Sequence, residues 1–146
     1  MSNPPPMPRD QYSVDISHLR ILGIFHFVGA VFAFLAMALF FSMYAMVPTL
    51  LADPEMWARF RQSTAPPQEV VTLLQATYLC LGSWFLGLAL MNGLSGLYLC
   101  TRKHRVFSII VACVNLLHVP FGSILAIFTF VVLLRKSVRE LYLADK

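Results

Sequence analysis

Residues 106–134 read VFSIIVACVNLLHVPFGSILAIFTFVVLL, 29 positions without a charged side chain, bounded by Arg105 and Arg135. A membrane-spanning helix needs about 20 apolar residues. The stretch therefore admits one overlong helix kinked at Pro120 or two short helices joined at Pro120-Phe121-Gly122. The tendency of basic residues to stay cytoplasmic separates the two. With a cytoplasmic N terminus, a hairpin keeps Arg9, Arg20, Arg102, Lys103, Arg105, Arg135, Lys136, Arg139 and Lys146 inside, nine against the two of the 48–69 connection, Arg59 and Arg61. A single crossing exports the last four and leaves five against six, which is no bias. The spacing predicts helices over about 104–119 and 123–139, turning at Pro120 and Gly122. Their length is near the lower limit for spanning, with basic side chains reaching back to the interface.

Two longer uncharged stretches precede this one, Ile21–Ala52 and Val70–Thr101, each of 32 residues. Each holds one spanning helix, expected over about 21–47, before Pro48, and about 70–100, after Pro66-Pro67. The composition agrees: of 146 residues, 58% are hydrophobic and 12% charged, where a soluble domain has about 45–50% and about 25%. The mean hydropathy is +0.71. Little chain remains for a soluble catalytic module. The net charge of +4 comes from basic residues beside apolar runs, not from a stripe suited to nucleic acid.

Residues 1–16 carry four prolines among polar residues and are expected to form a disordered cytoplasmic tail. In the 48–69 connection, Asp53 is a good N-cap and Pro54 suits a first helical position. Met56, Trp57 and Phe60 then share a face, which predicts an interfacial helix over about 54–62. The expected fold is all-α: an integral membrane four-helix bundle over 17–146, two long helices followed by a short helical hairpin. It is expected in the inner (plasma) membrane with both termini cytoplasmic.

Polar side chains are costly in hydrocarbon, so they mark where function would be sought. Four qualify: His26, Asn92, Asn115 and His118. Asn92 lies ten residues before Arg102 and Asn115 ten after Arg105, each about 15 Å deep, so the two amides are expected to meet. His26 lies six residues past Arg20, about 9 Å deep, and His118 thirteen past Arg105, about 20 Å deep, a mismatch that argues against a bis-histidine haem. His18 and His104 sit at the cytoplasmic boundary. No Ser-His-Asp set, Gly-rich phosphate loop or H-E-x-x-H pattern occurs, and no Asp or Glu falls in the three apolar stretches. No enzymatic activity, metal site or cofactor is therefore expected.

Cys80, Cys100 and Cys113 lack C-x-x-C spacing and read as small apolar packing residues. Gly29 with Ala33, Ser83 with Gly87, Ala89 with Gly93, and Asn92 with Gly96 are spaced for close helix contact. The partners these features imply are the lipid bilayer and, through the small-residue faces, a second copy or another membrane protein; nucleic acid is not expected. The pattern reads as a structural or accessory membrane protein. Two alternatives stay open: an oligomeric channel or carrier with Asn92 and Asn115 on a wet surface, and a haem or quinone redox protein using His26 or His118.

The string Pro120-Phe121-Gly122-Ser123-Ile124-Leu125-Ala126-Ile127-Phe128-Thr129 resembles a segment of small uncharacterised bacterial four-helix membrane proteins, in which a Pro-x-Gly-Thr turn precedes Leu-Gly-x-Tyr-Thr. The opening His18-Leu19-Arg20-Ile21-Leu22-Gly23-Ile24-Phe25-His26 is similar to the first helix of the same group. Ser123 replaces Thr and Ala126 replaces Gly, both small. The resemblance covers about a third of the chain and implies a four-helix membrane fold but no activity.

Overall fold

Proline punctuates both ends of the first apolar segment. Pro4, Pro5, Pro6 and Pro8 all precede Arg9, and the next proline is Pro48. The computed structural model describes residues 9–53, 55, 67–118 and 120–144, and in it helix α1 runs Arg9–Leu51. Two expectations are thereby corrected. The segment expected to be a disordered tail is helical from Arg9 onward, because Asp15 is buried in an ion pair with Arg135 and Leu19 is buried one turn later. The helix also passes Pro48 instead of stopping at Val47. Proline removes one N–H, but here only in the final turn, where Thr49 Oγ1 donates to Met46 O at 2.7 Å and Ala52 N to Pro48 O at 3.0 Å.

Helix α2 spans Gln68–Thr101, close to the expected 70–100, and the carbonyl of Pro67 accepts the Val70 N–H at 2.9 Å. The chain then turns through Arg102 and His104, both at positive φ, into α3, Arg105–Asn115. Helix α4 covers Phe121–Leu133 and α5 covers Lys136–Ala144. Of the expected interfacial helix over 54–62, all but Glu55 lies outside the described residues. Asp53 Oδ1 accepts the Glu55 N–H at 3.0 Å, the bond an N-cap makes.

The hairpin arms are shorter than expected. Helix α3 stops at Asn115, four residues before 119, where the backbone bonds tighten to a three-residue spacing: Leu117 N donates to Val114 O at 3.2 Å and His118 N to Asn115 O at 2.9 Å. The expected fourth span over 123–139 breaks after Leu133, and α4 and α5 diverge by 76°. The Arg105 guanidinium supplies the physical reason: it donates through Nε at 2.9 Å, and through Nη2, to Leu133 O, capping that carbonyl. Arg135 then turns toward Asp15. Among the described residues only α1 and α2 are individually long and apolar enough to cross a membrane, with a third candidate if α4 and α5 count as one bent span.

The chain divides into two compact units. The first comprises residues 1–30 and 90–146. Its buried positions recur at spacings of three and four: Asp15, Leu19, Leu22 and His26 on α1; Asn92, Ser95 and Leu99 on α2; Ala126, Thr129 and Leu133 on α4. This is the spacing of helices that pack along a seam. The second unit, residues 31–89, buries Ala33, Val47, Val71 and Leu88 and stacks Phe40 on Phe85 with centroids 5.4 Å apart. Cys80, Cys100 and Cys113 are exposed rather than packed inside, although the Cys100 sulfur borders Gly23 of α1.

Candidate functional site

The side chains that stand out in an apolar chain converge in the first unit. His26 on α1 is fully buried, with Nδ1 3.0 Å from Asn92 Oδ1 on α2 and Nε2 3.2 Å from Thr129 Oγ1 on α4. Asn115 at the end of α3 donates through Nδ2 to Asn92 Oδ1 at 2.7 Å, and Asn92 Nδ2 donates to Asn115 Oδ1 at 3.1 Å. The Thr129 hydroxyl donates to Leu125 O at 2.7 Å. Four helices thus meet on one polar cluster.

As oriented, Asn92 presents a carbonyl oxygen to Nδ1, and the single Thr129 hydrogen is already on Leu125 O, so both ring nitrogens face acceptors. The reciprocal amide pair is unchanged in pattern if both amides turn over together. Asn92 then offers N–H to Nδ1, and Nε2–H donates to Thr129. In that arrangement a neutral imidazole satisfies every group. Either way neither nitrogen of His26 is left to bind a ligand such as iron.

Of the four residues singled out from sequence, His26, Asn92 and Asn115 lie together, and His118 does not. His118 is half-buried at the hairpin turn, with Nδ1 3.4 Å from Val114 O. The matched depth of Asn92 and Asn115 corresponds to direct contact. Thr129 is the member that sequence reasoning missed. Threonine in an apolar helix usually returns its hydroxyl to its own backbone, as Thr129 does, so it gave no signal by type. Its position did give one: Thr129 is six residues from Arg135, as His26 is from Arg20.

Pro120 and Gly122 form the turn that brings α4 back along α3. A Cβ on Gly122 would collide with Asn115 O and lie 2.7 Å from His118 Cβ, so glycine is required there. Gly122 N donates to His118 O at 2.7 Å. Of the small-residue pairs, the close approach is made at Gly96, where a Cβ would sit 2.9 Å from Gly23 O. Gly87 has nothing within 4 Å, so it makes no close contact.

A second cluster holds the helix ends of this unit. Asp15 is fully buried and its Oδ1 lies 3.0 Å from Arg135 Nη1, while the Arg135 side chain is 41% exposed. Arg102 Nη1 donates to the Tyr12 hydroxyl at 3.4 Å. Tyr142 is buried beside Leu99, Leu133 and Val138, and its hydroxyl has no partner among the described residues. Burial raises its phenol to about 12, with Arg105 and Arg102 pulling the other way.

No family model matches the chain, and no curated protein or solved structure shows detectable similarity to it.

Proposed function

We propose that this chain is a small integral inner-membrane protein of structural or accessory type, with both termini cytoplasmic and no catalytic activity of its own. One observation carries the reading: the amide, imidazole and threonine side chains at the centre of the first unit are engaged with one another, while the outward faces carry large apolar residues. Asn92, Asn115, His26 and Thr129 are buried and hydrogen-bonded, whereas Phe25, Val31, Phe32 and Leu35 on α1 are exposed. A carrier or catalyst needs polar groups turned toward its substrate; a membrane scaffold needs them turned inward, where they hold helices together. Exposed apolar area of this extent fits lipid or a neighbouring membrane protein as its environment. The excess of basic residues flanking the helices supports the orientation.

The test is reconstitution. The protein is expected to remain in carbonate-washed membranes, to leave ion and small-solute flux in liposomes at the protein-free level, and to show no Soret band when purified. Flux above that level would replace the proposal with a channel or carrier, and a Soret band would replace it with a haem protein. Release by carbonate would remove the membrane reading altogether.

A further inference from the structure

The α3–α4 hairpin is too short for the layer that α1 and α2 are long enough to cross. Its arms have 11 and 13 residues, about 17 and 20 Å at 1.5 Å per residue, against about 30 Å of hydrocarbon. Both arms start at one level, because Arg105 at the head of α3 is bonded to the Leu133 carbonyl at the foot of α4. The compact unit containing the hairpin takes in α1 only to Ala30 and α2 only from Leu90, ten and twelve residues from Arg20 and Arg102. Those distances, about 15 and 18 Å, match the depth of the hairpin.

The tip is built for an apolar surrounding. No charged residue lies between Arg105 and Arg135. Leu117 and Phe121, at 74% and 85%, are the most exposed large apolar side chains among the described residues. Three polar groups of the turn are closed internally: His118 N donates to Asn115 O at 2.9 Å, Gly122 N to His118 O at 2.7 Å, and Ser123 Oγ to Leu116 O at 3.0 Å. Water would satisfy such groups without help, but hydrocarbon cannot, so internal closure is the condition for a turn at that depth.

We propose that α3–α4 is a re-entrant hairpin: it enters and leaves through one membrane face, turns within the hydrocarbon, and presents Leu117 and Phe121 to lipid acyl chains. This rests on the integral-membrane reading above and replaces two crossings with none. Single cysteines at Leu117 and Phe121, in a background with Cys80, Cys100 and Cys113 changed to serine, distinguish the cases. Controls carry the cysteine at Lys103 or Gln62. An impermeant maleimide should label Lys103→Cys from one face and Gln62→Cys from the other, and Leu117→Cys and Phe121→Cys from neither until detergent is added. In vesicles of brominated phosphatidylcholine, bimane on Phe121→Cys should be quenched most by bromine placed mid-chain. Labelling of the tip from the Gln62 face would overturn the proposal in favour of a crossing hairpin, and labelling from the Lys103 face in favour of a hairpin lying outside the hydrocarbon. Protection without bromine quenching would mean that protein, not lipid, covers the tip, and would also overturn it. If both controls label from the same face, the integral-membrane reading fails, which is a separate result.

Discussion

The two compact units solve the packing of apolar helices by different means. Residues 31–89 rely on shape: Phe40 stacks on Phe85 and approaches Tyr78 at 6.3 Å, and the Phe41 ring fills the space over Gly82. Residues 1–30 and 90–146 place polar groups at the centre, with Asp15, His26, Asn92, Asn115 and Thr129 all buried. Surrounded by lipid, apolar packing gains nothing from expelling water, so two helices can manage with complementary rings, but five segments of unequal length need directional bonds to fix their register. The first unit is therefore expected to fail sharply when a partner is removed, the second gradually.

The largest effect should come from Gly122→Val, which puts a side chain into the Asn115 carbonyl and prevents α4 from returning. Loss of the folded species, seen as failure to refold from SDS by circular dichroism, is the expected outcome. Normal refolding would mean that the turn can be rebuilt around a side chain. Next comes Arg135→Leu, which strands the buried Asp15 carboxylate. The exposure of the arginine lowers the value of the pair, and a loss of about 1–3 kcal/mol in SDS titration is expected. Combining it with Asp15→Leu should restore most of that loss, and no restoration would mean that the pair is not coupled.

Asn115→Leu leaves Asn92 one partner short and should cost about 1–2 kcal/mol, with the Asn92→Leu, Asn115→Leu double variant costing less than the sum of the two single changes. Strict additivity would show that the amides serve separate partners. Within the second unit, Phe40→Leu keeps apolar volume but removes the ring stack, for a loss of about 0.5–1.5 kcal/mol. A larger loss than for Asn115→Leu would reverse the contrast between the units.

The smallest effect concerns Tyr142. Its folded phenol is raised from 10.0 to about 12, so the fold holds that proton more tightly than the unfolded chain does. The resulting stability is complete below pH 10 and is lost as the pH rises through about 12. A phenolate absorbance titration should show one late tyrosine that disappears in Tyr142→Phe. A titration unchanged by that substitution would place the late group elsewhere.

Much of this was legible along the chain because charge and proline are read without knowing the fold. The uncharged stretches located α1 and α2, and Pro120 with Gly122 located the turn. Depth counted from flanking arginines put Asn92 opposite Asn115. Asp15 was misread because a polar, proline-rich neighbourhood gave no sign of a partner 120 residues away, and the break after Leu133 was invisible because the cap comes from Arg105 on another helix.

By itself, then, the sequence determined that the chain is helical, where its long apolar helices run, and which polar residues are too costly to leave unpaired in an apolar setting. Which face of each helix turns inward was not decided there. In helices apolar on every side, hydrophobic periodicity carries almost no information, and only the polar residues mark a direction. The tertiary structure decided that His26 meets Asn92 and Thr129, that Asp15 extends α1 to Arg9, and that the last hairpin stops short. Each of these follows from bonds between residues distant in the chain, whose geometry exists only once the helices have packed.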